Sequence, residues 1–99
     1  DIHLVVADPA NPTLTMIVEF PDVACDGPAD SIRRDEIQVA RAALVAACGN
    51  APASSFKPLH GTAEITGVGF FDVLHGQTGV APNGIELHPV LAFDGACTP

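Results

Sequence analysis

Four residues in the last third of the chain carry side chains from which a metal site or an acid–base pair could be assembled: Asp72, His75, Glu86 and His88. Carboxylate oxygens and imidazole nitrogens form a mixture that zinc and related divalent ions accept as ligands. A hairpin that returns the segment after His75 to Glu86 would bring all four to one end of a sheet. A divalent ion held there with an open coordination position could activate water for hydrolysis. The same residues also have structural uses. Asp72 and His75 can satisfy the backbone of a long turn, Glu86 can lie on a solvated face, and His88 can cap the bend before Pro89. Gln77, Thr78 and Asn83 are the loop residues placed to contact a ligand, while His3 and His60 stand alone and read as structural or exposed.

Other chemistries find less support. Gly76, Gly79 and Gly84 do not follow a phosphate-loop or dinucleotide pattern and open no helix, so they read as residues that permit positive φ in a tight connection. Ser31, Ser54 and Ser55 sit in no nucleophile-elbow sequence. Four Lys and Arg against twelve Asp and Glu give a net charge of −8, which repels phosphate backbones and disfavours nucleic acid as a partner. Arg33, Arg34 and Arg41 fall in one predicted helix, where they read as a solvated face, so a metal-dependent nuclease would lack cations for its phosphate unless another segment supplied them.

Cys25, Cys48 and Cys97 are widely spaced and contain no CxxC pair, which argues against a zinc ribbon or a thioredoxin-like motif. Cys25 on the chain leaving the second strand and Cys48 on the core-facing stripe of the predicted helix suggest a Cys25–Cys48 disulfide, with Cys97 left as the odd thiol. A disulfide implies an oxidising compartment, so the expected location is secreted or periplasmic. No apolar run approaches the roughly 18 residues of a membrane span, and no membrane partner is expected.

The elements that must position these residues can be read from hydrophobic period. Ile2, Leu4 and Val6 alternate with His3 and Val5, and the Asp8-Pro9 to Asn11-Pro12 segment reads as a turn. Leu14, Met16, Val18 and Phe20 then share one face of a second strand, while Thr13, Thr15 and Glu19 share the other. Ile37, Ala40, Leu44 and Cys48 form the narrow stripe of a helix placed at 31–48, with Asp30 or Ser31 as N-cap and Gly49 after its end. Asn50 to Leu59 reads as a loop. Gly61 to Leu74 is a strand whose Gly67 and Gly69 predict a bulge. Ile85 to Phe93 is the last strand, with Ile85, Leu87, Leu91 and Phe93 opposite Glu86 and His88.

The order strand, strand, helix, strand, strand predicts one α+β, mainly β domain over residues 1–99. It is the order of an OB-like barrel without its first strand, and a four-stranded sheet packed on one helix is the alternative. The segments Asp1-Ile-His-Leu-Val-Val-Ala-Asp-Pro, Met16-Ile-Val-Glu-Phe-Pro-Asp, Gly67-Val-Gly-Phe-Phe-Asp72, His75-Gly-Gln-Thr-Gly-Val-Ala-Pro-Asn-Gly84 and Ile85-Glu-Leu-His-Pro-Val90 resemble a group of uncharacterised, mostly exported bacterial proteins. That resemblance covers most of the chain and implies an additional strand before Asp1, but it implies no activity.

The functional expectation is an exported binding or interaction domain whose contact surface is the 72–88 hairpin. The alternative is a metal-dependent hydrolase using Asp72, His75, Glu86 and His88, with a divalent ion such as zinc as cofactor. Because four strands leave an OB barrel open, the expected partner is a missing N-terminal segment or a second chain, including a homodimer, held covalently if Cys97 is free to bond.

Overall fold

In a computed structural model, which describes residues 1–24 and 32–98, four strands and one helix follow in the predicted order. These are β1 (Ile2–Asp8), β2 (Asn11–Phe20), α1 (Arg34–Cys48), β3 (Gly61–Phe71) and β4 (Ile85–Cys97). They form a mostly β fold built on one four-stranded sheet in the order β1-β2-β4-β3.

The β1–β2 hairpin pairs Ile2 with Phe20 and His3 with Glu19, so the alternation of both strands sorts onto common faces. On one face Ile2, Val18, Phe20 and Val90 pack with Ala40 and Leu44 of α1, joined by Leu4, Val6, Met16, Ile65, Leu87 and Phe93. Phe20 meets Phe93 edge to face, with ring centroids 6.0 Å apart.

Helix α1 buries Ile37, Ala40 and Leu44, the stripe expected from its period. Its start differs from expectation: it begins at Arg34, and Arg33 holds the N-cap position without a side-chain cap bond. Asp30 and Ser31, the expected caps, lie outside the described residues. Asp35 and Glu36 supply the negative charge that favours a helix N-terminus. Arg41 is not simply solvated, because its guanidinium donates to the Phe20 carbonyl at 2.9 Å and ties α1 to the end of β2. At the other end the Lys57 ammonium donates to the Cys48 and Asn50 carbonyls, anchoring the 50–59 loop where helix carbonyls lack partners.

Strands β2 and β4 pair in parallel, with Ile17 beside Glu86 and Val18 beside Leu87. Against β3, the register of β4 shifts between Thr66 and Gly67 and again between Gly67 and Gly69, where the glycines predicted a bulge. A side chain at Gly67 would strike the Pro89 carbonyl oxygen, so the close approach of the two backbones requires glycine there. Each one-residue slip exchanges the faces of the residues beyond it. As a result Val90 turns into the core at 0% exposure, although strict alternation from Leu87 would turn it outward.

The disulfide differs from the expected one. Cys48 bonds to Cys97, with their Cα atoms 5.1 Å apart, so Cys97 is not the odd thiol and Cys48 is not available to Cys25. In the sequence, positions around the predicted helix favour Cys25 as the partner of Cys48. In the fold, however, α1 packs along β4, and the strand runs four residues past Phe93 to Cys97, beside the helix end. Cys25 itself lies outside the described residues. No helix among the described residues is long and apolar enough to cross a membrane.

Candidate functional site

The sheet face opposite α1 carries the polar residues. His3 and Val5 of β1 pair with Glu19 and Ile17 of β2, and Ile17 pairs in turn with Glu86 of β4, so these residues lie on the same face. A face with so many polar groups would ordinarily be solvated, yet Ile17 is 1% exposed and Glu86 5%. The 72–84 connection covers it. Its base closes where the Asp72 N–H donates to the Gly84 carbonyl, and its tip reaches β1, where the Thr78 carbonyl lies 3.2 Å from His3 Nε2. Gly79, at φ 79°, lies so close to Val5 that any Cβ would overlap the valine side chain. Ala81, in the same connection, is also buried.

The four predicted residues do not converge on a common point. They form two separate contacts: His75 Nε2 lies 3.8 Å from Asp72 Oδ2, and His88 Nδ1 lies 3.3 Å from Glu86 Oε1. Among the described residues no group of three or more His, Cys, Asp or Glu side chains is arranged to hold a metal ion. The physical reason is the path of the connection. It bends across the sheet from Asp72 instead of extending the hairpin, leaving His75 on an exposed turn while Glu86 is buried beside Ile17.

The loop residues mostly serve the loop. The Gln77 amide donates to the Val73 carbonyl, and its oxygen accepts the His75 N–H, both at 2.9 Å. Asn83 Oδ1 accepts the Ile85 N–H, and Asp72 Oδ1 accepts the Val73 N–H. Thr78 touches the sheet through its backbone carbonyl.

A further polar cluster forms around His3, which reads as isolated in the sequence. His3 Nδ1 lies 3.3 Å from Glu19 Oε1, Nε2 faces Thr78, and the ring meets Phe56 edge to face at 5.3 Å. One edge-strand histidine thus contacts β2, the 72–84 connection and the 50–59 loop. Both ring nitrogens face oxygens, while a neutral imidazole carries one N–H, so satisfying both contacts requires one more proton on the His3–Glu19 pair. Burial pushes the Glu19 carboxyl above its ordinary range, with Glu86 adding to the rise and His3, His88 and the N-terminal amine opposing it. The turn alone carried no signal, because pairing Asp8 with Asn11 would set Ile2 opposite Ile17, and only the register shift between Ala7 and Asp8 brings His3 opposite Glu19.

On the α1 side, a groove of about 560 Å³ runs between β1 and β3, lined by Leu4, Val6, Leu44, Ile65, Leu87 and Phe93 among others. A second depression of about 640 Å³ continues along β1 toward the 50–59 loop, sharing Leu4, Val5, Leu44, Cys48 and Leu59 with the first. No protein family's sequence profile matches the chain, and no curated protein or solved structure is significantly similar to it.

Proposed function

We propose that this chain is an exported interaction domain with an OB-like barrel plan, open along one side and working through that opening. The observation that carries the reading is the apolar groove flanked by β1 and β3, the two edges of the sheet. A first strand laid between those edges would complete the five-stranded plan, and the parallel β2–β4 pair fits the same plan. The Cys48–Cys97 disulfide supports an oxidising compartment. The base of the 72–84 connection offers a second contact surface, because Phe71, Val73 and Leu74 are exposed there.

A metal-dependent hydrolase built on Asp72, His75, Glu86 and His88 has less support, since these residues fall into two separated pairs. The test is selection of a phage-displayed random nine-residue peptide library on the immobilised protein, repeated with Leu59→Asp and His75→Ala. Leu59 is 37% exposed on the groove wall, so a charge there can alter binding without opening the core. Peptides that bind the parent and His75→Ala but lose Leu59→Asp support the interaction domain. Absence of any groove-dependent binder, or stoichiometric zinc binding that His75→Ala abolishes, overturns it.

A further inference from the structure

We propose that the groove takes one extended segment of a partner protein, about five to seven residues long, antiparallel to both β1 and β3. This segment would carry apolar side chains at alternate positions and basic residues at its ends. The proposal rests on the interaction-domain reading and specifies its ligand.

Backbone geometry sets the shape of the occupant. In the order β1-β2-β4-β3, each outer strand pairs with one neighbour only among the described residues, so β1 and β3 both present unpaired N–H and C=O groups along their outer edges. An extended chain satisfies such groups by strand addition, with main-chain bonds supplying affinity and alternate side chains supplying specificity. Strand β1 runs antiparallel to β2, β2 parallel to β4, and β4 antiparallel to β3. Following these relations around the sheet, β1 and β3 run the same way. One added strand can therefore be antiparallel to both, the pairing that is slightly the more stable per residue. The seven residues of β1 give an edge of roughly 23 Å at the usual rise, which sets the length.

The lining sets the side chains. Alternate residues of the added strand would point toward Leu44, Leu87 and Phe93, where apolar groups replace water. On the β3 side the wall is Gly61, Thr62, Ala63 and Ile65, and its first residues are small enough to leave width for a leucine or phenylalanine of the ligand at that end. Charge sets the ends. The chain carries −8, Asp1 and Asp8 lie at the two ends of β1, and among the described residues Lys57 is the only Lys or Arg that lines either depression. That field draws a basic peptide and opposes an acidic one.

The experiment titrates the disulfide-bonded protein with the peptide acetyl-Lys-Leu-Thr-Val-Thr-Leu-Lys-amide, following amide hydrogen exchange and NMR line widths. The expected result is at least about tenfold slower exchange on both β1 and β3, which added cross-strand bonds produce. A nitroxide on the peptide's N-terminus should broaden Ala7 and Asp8 and spare Ile2 and His3. Versions methylated on alternate amide nitrogens, or with both lysines replaced by glutamate, should bind at least about tenfold more weakly. Protection of one edge alone, the reverse broadening pattern, equal binding by the methylated peptide, or a dimer of this chain filling the groove would each overturn the proposal. Groove-dependent binders from the library that are acidic or lack alternation would overturn it while leaving the interaction-domain reading intact; no groove-dependent binder would overturn both.

Discussion

Breaking the Cys48–Cys97 bond should cost this domain a large part of its stability. The bond closes a loop with a sequence separation of 49 residues. In the chain-entropy account, a loop of that length removes about 14 cal/mol/K from the unfolded ensemble, or about 4 kcal/mol at 25 °C. A domain of this size is stable by roughly 5–15 kcal/mol in total, so the loss consumes between a quarter and most of it. At about 4–8 °C per kcal/mol, the melting temperature should fall by roughly 15–30 °C. Scanning calorimetry of the parent and a Cys48→Ser/Cys97→Ser variant measures this directly, and a non-reducing peptide map identifies the bonded pair. The bond also joins the end of α1 to the end of β4, so the last turn of the helix should lose exchange protection in the variant. A fall of less than about 5 °C would refute the loop argument, and a map linking Cys48 to Cys25 would refute the topology behind it.

The Glu19 carboxyl, raised by burial, binds its proton more tightly in the folded chain than in the unfolded one, so its contribution to stability is fully present below the ordinary carboxyl range and is lost as pH rises through the raised value. Urea denaturation across that range should show stability declining with pH, and Glu19→Gln should flatten the decline; an unchanged slope would show that Glu19 does not cause it. Phe20→Ala, at a site 0% exposed, should cost about 3–5 kcal/mol, whereas Val73→Ala, at 75% exposure, should stay within about 0.5 kcal/mol, both read from denaturant midpoints. Gly79→Ala places a Cβ against Val5 on a positive-φ backbone and should cost about 1–3 kcal/mol. Faster amide exchange at Ala81 should accompany that loss, and unchanged exchange would show that the connection is not seated through Gly79.

Local patterns carried much of this fold. The β1–β2 hairpin follows from alternation on both sides of a proline-marked turn, and the buried face of α1 follows from Ile37, Ala40, Leu44 and Cys48 at helical spacing. What period could not reveal is how separate hairpins meet. The parallel β2–β4 pair joins segments separated by α1, β3 and the connections around them, and only that pairing sets Glu86 beside Ile17. The same limit explains the wrong disulfide, since Cys97 reaches Cys48 through the packing of α1 on β4. Glycine-marked irregularity was legible at Gly67, but its effect on Val90 needed the actual register. Asp72, His75, Glu86 and His88 fall into two contacts for a related reason: the connection folds over the sheet face opposite α1, which hairpin alternation does not reveal.

That folded connection bears on how an open edge can remain usable. An edge strand left unpaired beside an apolar groove invites slippage and pairing with copies of itself. Here β1 is secured from behind, where His3 contacts Glu19, Thr78 and Phe56 together, and Val5 packs beneath Gly79. The register of the edge is thus held by contacts to three other parts of the chain. Self-pairing is opposed by charge, because two copies each carrying −8 would bring like fields together at β1, while the same net field attracts a basic segment. On the proposed reading, the acidity that disfavours nucleic acid would also favour a foreign basic strand over a second copy of the chain.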